Sequence, residues 1–282
     1  MSNADAGTLA LLFGNSHANC MVRALRHKLF PTSADGFSVR IVSTGSDAFP
    51  GGLVLVDSLG RRVANPVVTR AIDQAIRESE REGRNVWLLS VIGGNFANRL
   101  SLFRTDGDID FLDPDEDSAT QPEVADADRY VPYDLLEAQL QSAMSSLGEF
   151  LRLLPMGRVA GLTHVDGPPP VPDANFIVEN LPERTKDLAR AAGEGEITAA
   201  TISPARFRYK VWRAQSRVAR RMVEAAGGHY MSAPPAALDS EGYRRLELCA
   251  DAAHGTTEYG ALCLEAIRSS VTGLLAERAH HE

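Results

Sequence analysis

Two rhythms alternate along the 282-residue chain. Short apolar runs bounded by glycine, proline or polar clusters have the pattern of buried strands. Longer stretches in which apolar residues return every three or four positions have the pattern of helices lying on a core. The first run, Leu9-Ala-Leu-Leu-Phe13, stops at Gly14. Residues 18–29 then place Met21, Val22, Leu25 and Leu29 at helical spacing, with Pro31 as the stop. The pattern predicts a strand over 37–42, a short strand or hairpin over 53–56, and a helix over 66–83. That helix has Pro66 at its start and Gly83 at its end, and its apolar side carries Val67, Ala71, Ile72, Ala75 and Ile76. The strongest strand, 85–92, ends abruptly in Gly93-Gly94-Asn95. Helices are further expected over 135–154, 206–226 and 256–277, and strands over 157–163 and 229–232.

Strands alternating with helices over the whole length predict an α/β fold with a parallel sheet covered on both faces. With no internal repeat and no dividing linker, residues 1–282 read as one domain, interrupted by irregular excursions at about 101–133 and 166–204. The first excursion is crowded with Asp106, Asp108, Asp110, Asp113, Asp115, Glu116 and Asp117. An aperiodic stretch of that length is a lid or an unstructured segment. The second opens on Pro168-Pro-Pro-Val-Pro172. On the 206–226 helix, Arg206, Lys210, Arg213, Arg217 and Arg220 or Arg221 share a stripe. A stripe of this kind reads first as a solvated face. Pairing with the acidic 106–117 run, within or between subunits, is the alternative.

Composition narrows the function. A formal charge of −8 argues against a general nucleic-acid binder or an anionic-membrane binder. Three widely spaced cysteines, Cys20, Cys249 and Cys263, suit buried thiols in a reducing, cytoplasmic setting. His27, His164 and His229 stand singly, so no metal site is expected. No apolar run approaches the roughly 20 residues needed to span a bilayer, and residues 1–7 lack the pattern of a secretory signal.

In a parallel sheet the ligand site lies at the carboxyl ends of the strands. Ser16 and Asn95 each follow a strand there, and Asp251 and His254 lie beyond the last one. Acyl transfer needs a nucleophile, a base, a group that orients the base, and donors for the oxyanion. Ser16, His254, Asp251 and Asn95 are the residue types for those four tasks. Singly, each has a plainer reading: a helix-capping serine, a turn asparagine, an aspartate opening a helix and a surface histidine. His17, beside Ser16, would point about 100° away from it on a helix and is not the expected base. Cys20, one turn on, is expected in the core.

Taken together and in order, these residues resemble the SGNH (GDSL-like) hydrolases from Leu9 to about Arg268. Gly14-Asn15-Ser16-His17 is similar to the block that carries their nucleophile, Gly93-Gly94-Asn95 to the block with the oxyanion asparagine, and Asp251-Ala-Ala-His254 with Tyr259-Gly260 to the final DxxH block. The resemblance implies a three-layer α/β/α sandwich with a central parallel sheet, flavodoxin-like in its layout. It implies Ser16 as nucleophile, His254 as base, Asp251 as orienter, and an oxyanion hole made by the Ser16 N–H, the Asn95 side chain and a glycine N–H. Gly45 is the expected glycine, with Gly51 and Gly52 as rivals. Asn15 stands where the family has aspartate, and Phe96 follows Asn95 where the family has a second aspartate. The expected activity is hydrolysis of a short acyl or acetyl ester of a small molecule or saccharide, with no metal and no cofactor. An acyltransferase using the same residues, or a non-catalytic binding module on the same fold, are the alternatives. Homo-oligomerisation is left open.

Overall fold

The strand that precedes Ser16 is buried at every position, because it has a parallel neighbour on each side and helices above and below. A computed structural model describes residues 7–34, 36–45, 47–93, 96–104, 109–116, 129–183, 185–187 and 196–281. In chain order, β1 (Thr8–Gly14) leads through a single 3-10 turn at 16–18 into α1 (Asn19–Arg26). β2 (Ser33–Ala34) and β3 (Phe37–Ser43) follow, then a hairpin of β4 (Val54–Val56) and β5 (Arg62–Ala64). Next come α2 (Pro66–Glu82), β6 (Asn85–Val91) and α3 (Phe96–Ser101), then the paired two-residue strands β7 (Ile109–Asp110) and β8 (Arg129–Tyr130). The second half runs α4 (Tyr133–Ala143), α5 (Ser145–Arg152), β9 (Gly161–Val165), α6 (Ala174–Glu179), α7 (Ala205–Ala225), β10 (His229–Met231) and α8 (Thr257–His281).

The main sheet has the order β10-β9-β6-β1-β3-β2. Every pairing in it is parallel except that of the edge strand β2. Counted along the chain, the five parallel strands follow the doubly wound order 2-1-3-4-5, in which the winding reverses between the first and third strands. Here that reversal falls between β1 and β6, so their carboxyl ends flank the crevice where such sheets place a ligand. Successive side chains of β1 serve opposite faces. Leu9, Leu11 and Phe13 join the core formed with α2, α5 and α7. Ala10 and Leu12 join the core formed with α1 and α8.

Most elements match the periodicity, and the departures have local causes. α1 stops at Arg26, three residues before the expected end. Lys28 takes φ 59°, and the N–H groups of Lys28 and Leu29 return to the carbonyls of Leu25 and Ala24, closing a Schellman cap. Leu29 therefore points outward, 51% exposed. α2 starts and stops where expected, with Asn65 accepting from the Val67 N–H and Gly83 in the left-handed region. Its inward valine is Val68, fully buried, and Val67 is 40% exposed. The expected 135–154 helix divides at Met144. The 157–163 strand begins only at Gly161, because residues 156–158 form a 3-10 turn after Pro155. Both excursions carry regular structure, β7 and β8 in the first and α6 in the second.

The largest departure is the cationic stripe. It is not a solvated face: residues 109–116 lie along it as a strap. The Lys210 ammonium is fully buried, paired with the Asp110 carboxylate and donating to the Phe111 carbonyl at 2.8 Å. Arg206 pairs with Glu116 at 3.1 Å, Arg213 with Glu116 at 3.3 Å, and Arg217 with Asp113 at 2.9 Å and Asp115 at 2.6 Å. Arg221 reaches Glu137 at 2.7 Å, and Arg220 lies over the Tyr230 ring. Cations one turn apart on α7 meet carboxylates spaced along an extended segment, and neither set could be buried without the other. Asp106, Asp108 and Asp117 lie outside the described residues. Among the described residues no helix is long and apolar enough to cross a membrane.

Candidate active site

β1 and β6 run so close at their carboxyl ends that a Cβ on residue 14 would overlap the Val91 carbonyl oxygen. Glycine there lets the chain pass over β6, and the Asn15 N–H then closes on that same carbonyl at 3.1 Å. The Asn15 side chain accepts from the His17 N–H and caps the 3-10 turn that Ser16 opens. The amide thus performs the turn-capping task open to a carboxylate at this position, and the turn keeps its form.

The Ser16 hydroxyl lies 2.9 Å from Nε2 of His254, and Nδ1 of His254 lies 2.8 Å from Oδ2 of Asp251. A carboxylate only accepts, so Nδ1 carries the proton and Nε2 presents its lone pair to the serine hydroxyl. Asp251 Oδ1 also accepts from the N–H groups of Ala253 and His254, each at 2.7 Å. Burial alone would raise the Asp251 pKa, but the bonds from the His254 ring and from those two N–H groups outweigh it and hold the carboxyl at about 2. The carboxylate is therefore charged throughout the range in which an imidazole titrates.

The loop bearing this pair is a short antiparallel closure. Cys249 bridges Gly255, the Ala250 N–H reaches the His254 carbonyl at 2.9 Å, and the Thr256 N–H reaches the Leu248 carbonyl at 3.0 Å. α8 follows at once and packs on α1, so the helix after His254 lies against the helix after Ser16. The second excursion borders the loop from another side: Val171, Ile177, Leu181 and Ile202 form one apolar cluster with Cys249 and Ala252.

The other expected residues divide. Asn95, with Gly94, lies outside the described residues; Gly93, just beyond β6, and α3 from Phe96 bracket it. Gly45 follows β3, the strand beside β1, and a Cβ on it would lie 4.0 Å from Oδ1 of Asn19, which opens α1. The Gly52 N–H is committed to the Phe49 carbonyl at 2.8 Å, and Gly51 faces Leu55. Of the three glycines, Gly45 alone sits at the end of a strand of the main sheet.

Two features escaped the sequence reading. His17 is buried, and its ring lies 5.1 Å from that of His254 at an interplanar angle of 36°. It forms a wall for the imidazole, which is a use that no spacing rule reveals. Further along the sheet, Ser90, His164 and Tyr230 stand in register across β6, β9 and β10. His164 Nδ1 lies 3.1 Å from Ser90 Oγ, and burial lowers its pKa to about 4. Asp166, one step past β9, accepts from the Ser216 hydroxyl of α7 at 2.5 Å and from the Gly167 N–H at 2.8 Å. Burial still raises its pKa to about 6.

No protein-family model and no curated protein matches the chain. Among solved structures it is similar to a carbohydrate acetylesterase from Sinorhizobium meliloti, at 13% identity and a TM-score of 0.40, over 95% of this chain and 99% of that one. It is similar to a GDSL-like lipase from Bacteroides thetaiotaomicron, at 12% identity and a TM-score of 0.41, over 93% and 88% of the two chains. It is also similar to the aryl esterase of M. smegmatis, at 12% identity and a TM-score of 0.41, over 95% and 100%. Likenesses this distant say nothing about a shared reaction, and the fold is read from the chain itself. With its 2-1-3-4-5 parallel sheet, helices on both faces, and Ser16 at the point where the winding reverses, the chain has a three-layer α/β/α sandwich fold, flavodoxin-like in its strand order.

Proposed function

We propose that the chain is a serine hydrolase that cleaves a short acyl or acetyl ester of a small molecule or saccharide through an acyl-enzyme. The observation that carries this reading is the chain of hydrogen bonds from Ser16 through His254 to Asp251. In the first half-reaction Ser16 Oγ bonds to the acyl carbon while its proton passes to Nε2 of His254. The imidazolium is stabilised by the Asp251 carboxylate, which stays ionised. The tetrahedral oxyanion is held by the Ser16 N–H, the Asn95 side chain and the Gly45 N–H. The C–O bond to the leaving alcohol then breaks, and His254 returns the proton to that alcohol. In the second half-reaction His254 takes a proton from water, the hydroxide adds to the acyl carbon, and the acid leaves as Ser16 regains its proton. The scheme runs on these residues, the ester and water, and calls on no metal and no cofactor.

A fluorophosphonate probe and p-nitrophenyl acetate test the reading. The wild type is expected to be labelled and to turn over. Ser16→Ala is expected to lose labelling and to lose about 10⁶-fold in kcat, the scale on which removal of a triad nucleophile is felt. Equal labelling of the two proteins would remove Ser16 from the mechanism, and an inert wild type would favour the binding module. If the wild type transfers acetyl to an added alcohol faster than to water, the same residues serve an acyltransferase.

A further inference from the structure

Arg244 is fully buried. Its Nη2 donates to the carbonyls of Asp251 and Ala252, at 3.2 and 3.4 Å. Nε and Nη1 are buried and donate to no oxygen or nitrogen among the described residues, and the Cys249 thiol is a further polar neighbour of the guanidinium. As a stabilising device this is a poor arrangement. A guanidinium taken out of water and met by two carbonyls is worth no more to the fold than an apolar side chain of similar volume. What the side chain does is geometric: it fixes two successive carbonyls of the loop from which the Asp251 carboxylate and the His254 ring project. Arg244 is itself anchored, since its backbone forms an antiparallel bridge with Leu238.

A second arginine holds the other end of the same loop. Arg23 lies on α1, two turns beyond Ser16, and its Nη2 donates to the Gly255 carbonyl at 2.9 Å. Gly255 is the residue after His254. One guanidinium therefore holds the backbone at Asp251 and Ala252, just ahead of the base, and the other holds the residue after the base to the helix that follows Ser16. The two act on different distances, Asp251 to His254 and His254 to Ser16.

We propose that Arg244 and Arg23 are positioning residues that clamp the 251–255 loop, Arg244 setting the Asp251–His254 pair and Arg23 setting its distance from Ser16. The assignment takes Ser16, His254 and Asp251 in the roles given above. An alignment error of about 1 Å at reacting atoms costs on the order of 10²-fold in rate, so the clamp matters to turnover far more than to folding.

The experiment compares wild type, Arg244→Met, Arg244→Lys and Arg23→Met, each first checked for folding by circular dichroism. The primary readout is the low-field proton resonance of His254 Nδ1–H, identified by its loss in His254→Gln. It reports the bond to Asp251 whether or not the protein hydrolyses anything. Arg244→Met is expected to lose that resonance and Arg244→Lys to recover it in part, because an ammonium can still reach one carbonyl. Arg23→Met is expected to keep it. In turnover of p-nitrophenyl acetate, both methionine variants are expected to lose about 10²-fold in kcat, with KM within about twofold. Should Arg244→Met not fold, Arg244→Leu, which likewise removes every donor, takes its place. A folded Arg244→Met or Arg244→Leu that retains the resonance and kcat within about threefold overturns the role of Arg244. An Arg23→Met enzyme with unchanged kcat overturns that of Arg23. If Ser16→Ala proves as active as wild type, the serine-hydrolase reading falls by itself, while the His254 resonance still decides whether the loop is clamped.

Discussion

Replacing Asp166 by asparagine should raise the stability of the protein, and only above a definite pH. The carboxyl is buried between β9 and α7, where it accepts from Ser216 and Gly167. Burial lifts its pKa from 3.8 to about 6. A raised carboxyl pKa means that the folded protein prefers the neutral acid. Its contribution to stability is fully present below pH 3.8 and lost as the pH rises through about 6. At about 1.4 kcal/mol for each pH unit between those values, the ionised form costs about 3 kcal/mol at pH 8. An asparagine keeps the shape, accepts from Gly167 and donates to Ser216, and it never ionises. For a chain of this size each kcal/mol is worth about 2 °C of Tm. The variant should therefore melt about 6 °C above wild type at pH 8, and level with it at pH 4. His164 makes the test sharper. Burial depresses its pKa from 6.5 to about 4, so its contribution is present above pH 6.5 and lost as the pH falls through about 4. The two groups nearly cancel in the wild type between pH 4 and 6.5. In Asp166→Asn the histidine is left alone, and Tm should fall as the pH is lowered across that window. Asp251, held at about 2, loses its contribution only below it. Thermal melts by circular dichroism from pH 4 to 8 read all of this. A variant that melts below wild type at pH 8, or that keeps a constant offset at every pH, would refute the reasoning.

Two substitutions test how the elements around the site are held. Lys210→Met leaves the buried Asp110 carboxylate without its ammonium and should cost about 3–5 kcal/mol in urea unfolding; adding Asp110→Leu should restore most of that, and a double variant no better than the single one would count against the pair. A Cβ on residue 260 would overlap the Cys20 carbonyl where α8 crosses α1, so Gly260→Ala should lower Tm by several degrees. Gly273→Ala on the same helix, where a Cβ meets nothing within 4 Å, should be neutral or gain up to about 1 kcal/mol. Equal effects at the two glycines would mean that helix propensity, and not the close crossing, decides.

Much of the scaffold could be read from the sequence because its signals are local. β1, β6 and α2 each announce themselves within fewer than twenty residues through apolar spacing and a glycine or proline at the end. The early stop of α1 could not be read, because the left-handed residue of its cap is Lys28, which carries no mark in the sequence. Choosing between Val67 and Val68 needed the helix phase to within one residue, which a window of mixed valines and alanines does not supply. The burial of Lys210 depends on Asp110, 100 residues away in an aperiodic segment, and pairings of that kind are fixed by tertiary structure alone. At the site, Ser16, Asp251 and His254 were legible as motifs, and the structure brings all three within hydrogen-bond reach. Arg244, Arg23 and the His17 wall were not, since a side chain that acts on a carbonyl or lies against a ring has no required spacing. Asn95 lies outside the described residues.

The sequence separation of 238 positions between Ser16 and His254 has a consequence for the life of the molecule. A ribosome adding roughly 5–20 residues per second needs on the order of 10–50 s to pass from one to the other. For all of that interval the serine, in the turn after a strand already able to recruit its neighbours, is an ordinary alcohol with no imidazole to bond to. Contacts of such sequence separation form late, after the entropy of closing the chain has been met by the rest of the core. On the proposed mechanism the Ser16 hydroxyl gains its base only once the loop ahead of α8 is in place, and a half-made chain carries the hydroxyl without the chemistry.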